Sequence, residues 1–463
     1  MHSSFLKTSF AVCLFVSGTF AQNTTPANPP QDEVVHYLAD LVKIDTSNPP
    51  GDEIKAARYI KSVLDREGIA SEIVESAPGR ASLIARLKGN GSKKPLLLMG
   101  HIDVVGVERS KWTVDPFAAV IRDGFMYGRG SHDDKAMDAV NLTVFLKLHR
   151  GKVPLDRDVI LLAEAGEEGT SQFGIDYLVK NDWDKIACEY ALNEGGRFRV
   201  ADGKLQYAGV ETTEKVPRGL RVVAHGTSGH GSMPRLDNPV VHLAAAISKI
   251  GNYQPPMRLN ETTREFFKRL ATISPPEKAK LFNNVEDPAV QEELRKSEIF
   301  YNSVLRTSIS PTIIRGGFRE NVIPADAEAT LDVRALPDEN MEQFIATLNK
   351  LVDDPSVEIL RLEGGQARPA PQPSSIHNEM FAALERAQKE VYPSAISLPL
   401  MQTGATDGAQ LRMKGVQVYG IGIPMTDDEL KTIHGNDEHI SIAELKKFVE
   451  YEWKAVVDIA ARK

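Results

Sequence analysis

Two short apolar runs, each ending abruptly in polar residues, constrain the fold of this chain more than any other feature. Residues 95–100 form the first run (PLLLMG) and residues 159–163 the second (VILLA), with a stretch of helical spacing at residues 139–149 between them. A short apolar run of this kind is typical of a strand buried on both faces. Such strands alternating with helices predict an α/β domain, whose functional residues lie at the carboxyl ends of the strands.

The pattern changes in the middle of the chain, between residues 213 and 368. Two helical stretches are interleaved there with several strands, which predicts a small α+β (ferredoxin-like) sandwich inserted into the first domain. A charged helical segment at residues 262–297 is predicted to be an addition within that insert. The first domain would then consist of two parts, residues 31–212 and residues 369–463. The length of 463 residues agrees with two domains, because one hydrophobic core seldom supports so long a chain.

Residues 1–21 have the pattern of a secretory signal peptide. Lys7 is followed by the apolar run of residues 10–16, and small residues precede Ala21, where cleavage is expected. The apolar run is too short to span a bilayer, and residues 22–30 would remain as a polar, proline-broken leader. We therefore expect an exported protein, secreted or periplasmic, with no membrane span.

Composition narrows the possible partners and the sources of stability. The chain has 55 Lys and Arg residues against 63 Asp and Glu residues, a net charge of −8, whereas a nucleic-acid-binding protein would carry a basic face. Cys13 and Cys188 are the two cysteines, and cleavage after Ala21 would leave one thiol, so no intramolecular disulfide is expected. Cys188 lies in an apolar context and is interpreted as a packing residue rather than a nucleophile.

Side chains that can bind metal follow the predicted strands. His101 and Asp103 come after the first apolar run, and residues two apart in an extended segment share a face. A carboxylate that holds the second nitrogen of a ligand histidine is typical of zinc sites, although a His-x-Asp pair by itself is weak evidence. Asp133 and Asp134 lie in a glycine-bounded turn, where aspartates could equally be helix caps or solvated residues.

Paired glutamates, Glu167 and Glu168, follow the second apolar run. Such pairs are most often surface charge, but at the end of a buried strand neighbouring carboxylates can divide their work, one binding metal and the other accepting a proton from water. Glu194 follows another predicted strand, and His434 lies in a later turn, where alone it would be an ordinary loop histidine. The complete donor set, which suits two zinc ions, is His101, Asp133, Glu168, Glu194 and His434.

In their order along the chain, these motifs resemble those of the di-zinc metallopeptidase family that includes aminoacylase-1, carboxypeptidase G, succinyl-diaminopimelate desuccinylase and carnosinase. The resemblance implies a mixed-sheet catalytic domain with an inserted lid and dimerisation domain, and hence a homodimer. Ala136 stands where many relatives have glycine, a departure that adds only one methyl group. The matching stretches, which run through nearly all of the chain after the leader, are GHIDVV, YGRGSHDDKA, EEG, NEGG and IHGNDEH.

The resemblance also implies how the donor set divides between two metal ions. His101 and Glu194 would bind separate zinc ions, and Asp133 would bridge them. Glu168 and His434 would complete the two coordination spheres. Cobalt or manganese could take the place of zinc.

Three further expectations concern residues next to these ligands. By resemblance, Asp103 would orient His101, and Glu167 would be the general base. The peptide bond between Asp133 and Asp134 would be cis, as it is in the family.

Motifs in the insert and near the end of the chain resemble the family's substrate-binding segments. His230 would reach the active site of the partner subunit, although it could also be a histidine in a glycine-rich turn without a catalytic part. Asn321 and Arg334 would bind the carboxylate of the substrate, although Arg334 could also be a salt-bridged strand residue. Asp407 would line the substrate pocket. The stretches concerned are GTSGHGSMP, ENVIP, LDVRALP and TGATDGAQ.

These observations together predict an exported di-zinc hydrolase that cleaves an amide bond, peptide or N-acyl, next to a free carboxylate. Glu194 at the third carboxylate position favours, by resemblance, a carboxypeptidase or an N-acyl-amino-acid hydrolase. The alternatives are a dipeptidase of the carnosinase type and a catalytically inactive relative that only binds. A serine hydrolase is not expected, because no Gly-x-Ser-x-Gly motif follows a strand.

Overall fold

The computed structural model describes residues 30–363 and 368–462. The predicted signal peptide, with Cys13, and the predicted leader up to residue 29 lie outside the described residues. In the part of the chain that is described, no helix combines the length and the apolar character needed to cross a membrane.

The first part of the chain alternates helices and strands. Its helices are α1 (Pro30–Val42), α2 (Ile54–Arg66), α3 (Lys135–Arg150), α4 (Ile175–Asn181) and α5 (Trp183–Ile186). Its strands are β1 (Ser47–Asn48), β2 (Ser71–Ala77), β3 (Arg80–Leu87), β4 (Leu96–His101), β5 (Val104–Val105), β6 (Val120–Arg122), β7 (Phe125–Tyr127), β8 (Val159–Glu164), β9 (Tyr190–Asn193), β10 (Arg197–Ala201) and β11 (Lys204–Glu214).

The middle of the chain forms a second sheet and a group of helices. The strands are β12 (Val216–Pro217), β13 (Leu220–His225), β14 (Gly229–His230), β15 (Ser308–Gly316), β16 (Val322–Ile323), β17 (Asp326–Ala335) and β18 (Val357–Arg361). The helices are α6 (Pro239–Asn252), α7 (Glu261–Ile273), α8 (Pro276–Asn283), α9 (Pro288–Ser297), α10 (Ile299–Val304) and α11 (Met341–Val352).

The last part of the chain returns to the first domain. Its elements are α12 (Glu379–Val391), β19 (Ile396–Gln402), α13 (Gly408–Met413), β20 (Gln417–Gly420), β21 (Met425–Thr426), α14 (Asp427–Leu430), β22 (His439–Ser441) and α15 (Ile442–Ala460).

The catalytic domain is built on a ten-stranded mixed sheet of order β2-β3-β8-β4-β9-β20-β11-β10-β21, with β19 beside β11. The apolar runs predicted as buried strands are β4 and β8, and every residue of both is buried. They run parallel to each other, and β9 and β20 continue the parallel centre. Helices α1, α3, α12 and α15 cover one face of the sheet, and α4, α5 and α13 lie on the other. The predicted α/β fold is confirmed.

The lid sheet has the order β15-β17-β13-β18, with β12 beside β17, and its neighbouring strands are antiparallel. Helices α6 and α11 pack on it around the buried side chains Leu243, Leu331 and Leu348. The chain order β13-α6-β15-β17-α11-β18 is the ferredoxin-like arrangement expected for the insert. The residue limits of the domains remain predictions.

The helical addition α7–α10 lies within the lid in sequence but packs against the catalytic sheet. Phe266, Phe267 and Leu270 of α7 share a buried apolar cluster with Leu398 and Leu400 of β19. The sequence indicated an addition to the lid, because it could not show which domain would cover these side chains. The helices α7–α10 therefore join the lid to the catalytic domain.

Candidate metal centre

The centre of the site is set by the register of the parallel strands. His101 is the last residue of β4 and lies opposite Glu164, the last residue of β8. Strand β9 runs parallel to β4 on its other side and ends at Asn193, so Glu194 follows directly. Because parallel strands end at one edge of the sheet, His101 and Glu194 meet there.

Two groups of side chains at this edge could each hold a metal ion, and they share Asp133. Within each group the ligand atoms lie within 4.8 Å of one another. The two oxygens of Asp133 face different histidines: Oδ1 is 3.1 Å from Nε2 of His101, and Oδ2 is 3.1 Å from Nε2 of His434. Nε2 of His434 is also 3.0 Å from Oε1 of Glu168. The groups are His101, Asp133 and Glu194, and Asp133, Glu168 and His434.

The structure corrects one expectation about these ligands. His101 and Glu194 were expected on separate metal ions, but they belong to the same group, and Glu168 and His434 form the other group with Asp133. The reason is the sheet topology, because β4 and β9 are neighbouring parallel strands that end side by side. The central position expected for Asp133 agrees with the geometry.

Asp103 holds both His101 and the loop that contains the paired glutamates. Nδ1 of His101 lies 3.1 Å from the carbonyl oxygen and 3.5 Å from Oδ1 of Asp103. The carboxylate of Asp103 accepts hydrogen bonds from the backbone N–H groups of Gly166, Glu167 and Glu168 at 3.0–3.1 Å. Burial alone would raise the pKa of Asp103, yet its hydrogen bonds, first that with His101, hold the pKa below its usual value. Asp103 is therefore placed as an anionic anchor beneath the site.

Glu167 lies beside the ligand groups and contacts a buried arginine. Oε1 of Glu167 accepts a hydrogen bond of 2.7 Å from Nη2 of Arg368, whose Nη1 donates to Oδ1 of Asp407. Burial raises the pKa of Glu167 to about 8, while the charge of Arg368 opposes this shift and that of Asp407 adds to it. Asp407, predicted to line the pocket, is thus linked to the predicted base through Arg368.

Glu438 supports the segment that contains Asp133. It is fully buried, and its carboxylate accepts hydrogen bonds from the backbone N–H groups of Gly130, His132 and Asp133 at 2.9–3.2 Å and from Nη1 of Arg129. The peptide bond between Asp133 and the residue after it is cis, as the resemblance implied.

The sequence motifs did not indicate Arg368 and Glu438 as residues of the site. Arg368 lies at the end of the predicted insert, where no motif or periodicity distinguishes it from a surface arginine. Glu438 lies within the IHGNDEH stretch, and its position four residues after His434 was the only available signal. Both become visible only when their burial and their partners are known.

The structure does not bring the predicted lid residues to the ligand groups. His230 is exposed, and its Nδ1 accepts a hydrogen bond from the backbone N–H of Ser232. Strand β14 pairs with β16, and the N–H of Gly231 donates to the carbonyl oxygen of Asn321 at 2.8 Å, so His230 and Asn321 lie close together. Arg334 forms an ion pair of 2.8 Å with Asp332, which agrees with the alternative interpretation of Arg334 as a salt-bridged strand residue.

The donor set suits divalent cations of the zinc type. It combines two imidazoles with three carboxylates, and nitrogen and oxygen donors of this kind are the usual ligands of catalytic zinc. Burial, and then the negative charge of Glu167, raise the pKa of Glu194 well above its ordinary value. Burial also raises the pKa of Glu168. Acidic groups that destabilise one another's charge fit a site that a cation neutralises.

A cluster of imidazoles and carboxylates at the edge of a mixed α/β sheet, with an inserted ferredoxin-like unit, is the arrangement of a metallopeptidase-type hydrolase. The model of Peptidase family M20/M25/M40 matches residues 97–457, and the chain belongs to this family. The resemblance stated from the motifs and the assignment as a hydrolase are therefore confirmed.

Relatives within this family have several activities. The chain is 29% identical over 387 residues to probable carboxypeptidase S-like 2 of Dictyostelium discoideum, covering 81% of this chain and 74% of that protein. It is 27% identical over 410 residues to the N-fatty-acyl-amino acid synthase/hydrolase PM20D1 of Homo sapiens, covering 86% and 80%. An M20 family metallo-carboxypeptidase from Sulfolobus solfataricus superposes with a TM-score of 0.68 at 22% identity, covering 92% of this chain and 100% of that one. The last comparison concerns the fold alone.

Proposed function

We propose that the protein is an exported di-zinc hydrolase that cleaves a peptide or N-acyl amide bond next to a free carboxylate. The observation that carries the proposal is the pair of ligand groups that share Asp133, with Glu167 beside them. His101, Asp133 and Glu194 would hold one ion, and Asp133, Glu168 and His434 the other. Cobalt or manganese would fit the same donors.

Glu167 is proposed as the general base. Bound metal ions would polarise the scissile carbonyl and lower the pKa of a bound water. Glu167 would take a proton from the attacking water and return it to the leaving nitrogen. Its position beside both ligand groups suits this work, because a general base must lie within reach of the water that it deprotonates. Arg368 would hold the carboxylate of Glu167 in one orientation.

The relatives and the lid motifs support the proposed substrate class. One relative is named as a carboxypeptidase and another as an N-fatty-acyl-amino acid hydrolase, and the substrates of both have a free carboxylate at the scissile amide. Asn321 and Arg334 are proposed to bind this carboxylate. A dipeptidase of the carnosinase type and an inactive binding protein are the competing possibilities.

The lid is proposed to form a homodimer in which His230 acts in the active site of the partner subunit. The exposed position of His230 supports this assignment, because a residue that serves another subunit need not contact its own catalytic domain. Exposed apolar side chains lie on β15 and at the start of α6, including Ile314, which is 64% exposed, and Val241, which is 63% exposed. Exposed apolar groups on an edge strand and an adjoining helix favour association.

The experiment that tests the proposal compares two neighbouring glutamates. Glu167→Gln keeps the shape but cannot accept a proton, so kcat should fall at least about 10²-fold while the metal content stays that of the wild type. Glu168→Gln should instead reduce the metal content measured by mass spectrometry, because a neutral amide is a poor zinc ligand. A screen of N-acyl amino acids against dipeptides and longer peptides would separate the substrate classes. Near-normal turnover of Glu167→Gln would remove this residue from the mechanism.

A further inference from the structure

A cavity of about 260 Å³ opens directly beside the candidate metal centre. Asp133 and Glu194 line one side of it, so the cavity and the ligand groups share two residues. Of the other lining side chains, seven are apolar and five are polar or charged. The apolar side chains that matter here are Met137, Phe300, Ile421, Ile423, Met425 and Leu430.

One of these side chains has a different origin from the rest. Phe300 belongs to α10, the last helix of the addition α7–α10, whereas Met137, Ile421 and Met425 belong to the catalytic domain. The helical addition therefore forms one wall of the cavity, and residues of the catalytic domain form the others. This placement gives the addition a possible role at the site that the sequence did not suggest.

Contacts on two sides fix the ring of Phe300. The guanidinium carbon of Arg197 lies 5.1 Å from the centroid of the Phe300 ring, and Arg197 is itself held by Asp427 at 2.7 Å. The ring of Tyr301 lies 5.6 Å from that of Phe300, within the apolar cluster of the addition. On the same helix, the carbonyl oxygen of Ser303 accepts a hydrogen bond of 2.9 Å from a lysine at the start of the lid. A wall held in this way can exclude longer substrates.

The lining indicates what the cavity takes. A group that enters it remains close to Asp133 and Glu194. Because the carboxylate side of the substrate is proposed to bind Asn321 and Arg334 of the lid, the cavity of the catalytic domain is assigned to the acyl side. The apolar side chains favour a hydrocarbon chain in the part of the cavity that they form, because covering apolar surface with apolar groups removes both from water. A single water needs roughly 10–15 Å³ on the same measure of volume, so the cavity of about 260 Å³ has room for a chain of several carbon atoms.

We propose that Phe300 is a specificity-determining residue, and that the wall it forms limits the length of the acyl chain of the substrate. The proposal rests on the amide hydrolase function proposed above and deepens it, since it names the acyl side as a linear hydrocarbon chain. The helical addition would then act in substrate selection as well as in joining the lid to the catalytic domain.

The test uses N-acyl amino acids with one amino acid and linear acyl groups from acetyl to stearoyl. For the wild-type protein, kcat/KM should rise about fourfold for each added methylene until the cavity is full, and then level off or fall. Phe300→Ala should move the optimum to longer chains, and Phe300→Trp should move it to shorter ones. Ile299→Ala is the matched control, because Ile299 precedes Phe300 on α10 and is 81% exposed; its profile should coincide with that of the wild type.

Two further measurements keep the proposal open to refutation. Thermal unfolding shows whether each variant is folded. If Phe300→Ala is not folded, the proposal is tested by the shift of the optimum acyl-chain length in Phe300→Trp. If the wild-type protein hydrolyses none of these substrates, the proposed function fails, and the cavity is tested separately by calorimetric binding of the same compounds to metal-loaded Glu167→Gln protein. Binding that strengthens with chain length and shifts with Phe300 supports the proposal. A length profile of folded variants that does not change with Phe300, in hydrolysis or in binding, overturns it.

Discussion

The edge of the catalytic sheet and the lid both contain residues that the family resemblance assigns to one reaction, yet the structure assembles only the first set. At the sheet edge, His101, Asp133 and Glu194 lie within reach of one metal ion. In the lid, His230 is exposed and Arg334 is paired with its neighbour Asp332. The difference shows that contacts within one domain are enough to bring the candidate ligands together. Residues in the second set depend on how the lid meets the site of its own or a second subunit.

The largest expected effect tests whether the lid residues act between subunits. Subunits with Glu167→Ala and subunits with His230→Ala should each be nearly inactive, and activity should return when they are mixed and exchanged. Each mixed dimer would contain one site with both residues intact, so random exchange in a twofold dimer should restore about a quarter of the wild-type activity. If His230 acts within its own chain, every site lacks one group. No recovery after confirmed subunit exchange would then refute the action in trans.

The second prediction asks whether Arg334 leaves its ion pair to bind substrate. Amidating the free carboxylate of a good substrate should lower kcat/KM about 10- to 150-fold, the value of a bidentate charged pair. Arg334→Ala should lose this discrimination, whereas the control Asp332→Ala should keep it, because that variant removes the ion pair without removing the guanidinium. Equal loss in both variants would mean that Arg334 is only a structural strand residue.

The third prediction concerns the edge of the catalytic sheet, where Glu438 accepts hydrogen bonds from the segment that contains Asp133. Glu438→Gln replaces an acceptor of several backbone N–H groups by a weaker one, so metal affinity should fall about 10- to 100-fold. Competition with a chelator measures this affinity. Asp437→Asn is the control. The side chain of Asp437, which is next to Glu438, accepts a hydrogen bond from the backbone N–H of Thr113 and none from the segment that contains Asp133. Unchanged affinity in Glu438→Gln would show that the position of Asp133 does not depend on the hydrogen bonds of Glu438.

The last prediction separates burial from function among the acids of the catalytic domain. Glu452 of α15 is fully buried, and neither of its carboxylate oxygens has a hydrogen-bond partner in the described part of the chain. Burial raises its pKa from an ordinary 4.5 to about 8, a value similar to that of Glu167, but no charged group takes part in the shift. Glu452 is therefore a buried acid without the charged neighbours that Glu167 has at the candidate metal centre.

The sign of this shift sets the dependence of stability on pH. The folded protein favours the protonated carboxyl of Glu452, so its contribution is complete below pH 4.5 and is lost as the pH rises through about 8. At about 1.4 kcal/mol for each pKa unit, the loss is a few kcal/mol. Glu452→Gln should therefore gain stability relative to the wild type between pH 5 and pH 9 in denaturant unfolding. The exposed Glu450 of the same helix provides the control, and an equal response in Glu450→Gln would contradict the assignment.

Much of the catalytic domain could be predicted from the sequence because its signals are local. The apolar runs of β4 and β8 identify buried strands. The donors that directly follow these strands in the sequence must lie at the strand ends. The pairing of ligands was predicted wrongly for His101 and Glu194, because it depends on β9 lying next to β4. No local pattern specifies that neighbour, since the two strands are about ninety residues apart in the chain.

By itself, the sequence determined the α/β fold, the inserted ferredoxin-like unit and the donor residues, because short periodic runs or compact motifs indicate each of them. Only the tertiary structure decided which donors lie together in one ligand group, that Arg368 and Glu438 contact the candidate site, and that α7–α10 bring Phe300 to the cavity. These features depend on contacts between distant segments and on the burial of charged groups. A linear pattern of residue types specifies neither, because burial and partners are properties of the packed chain.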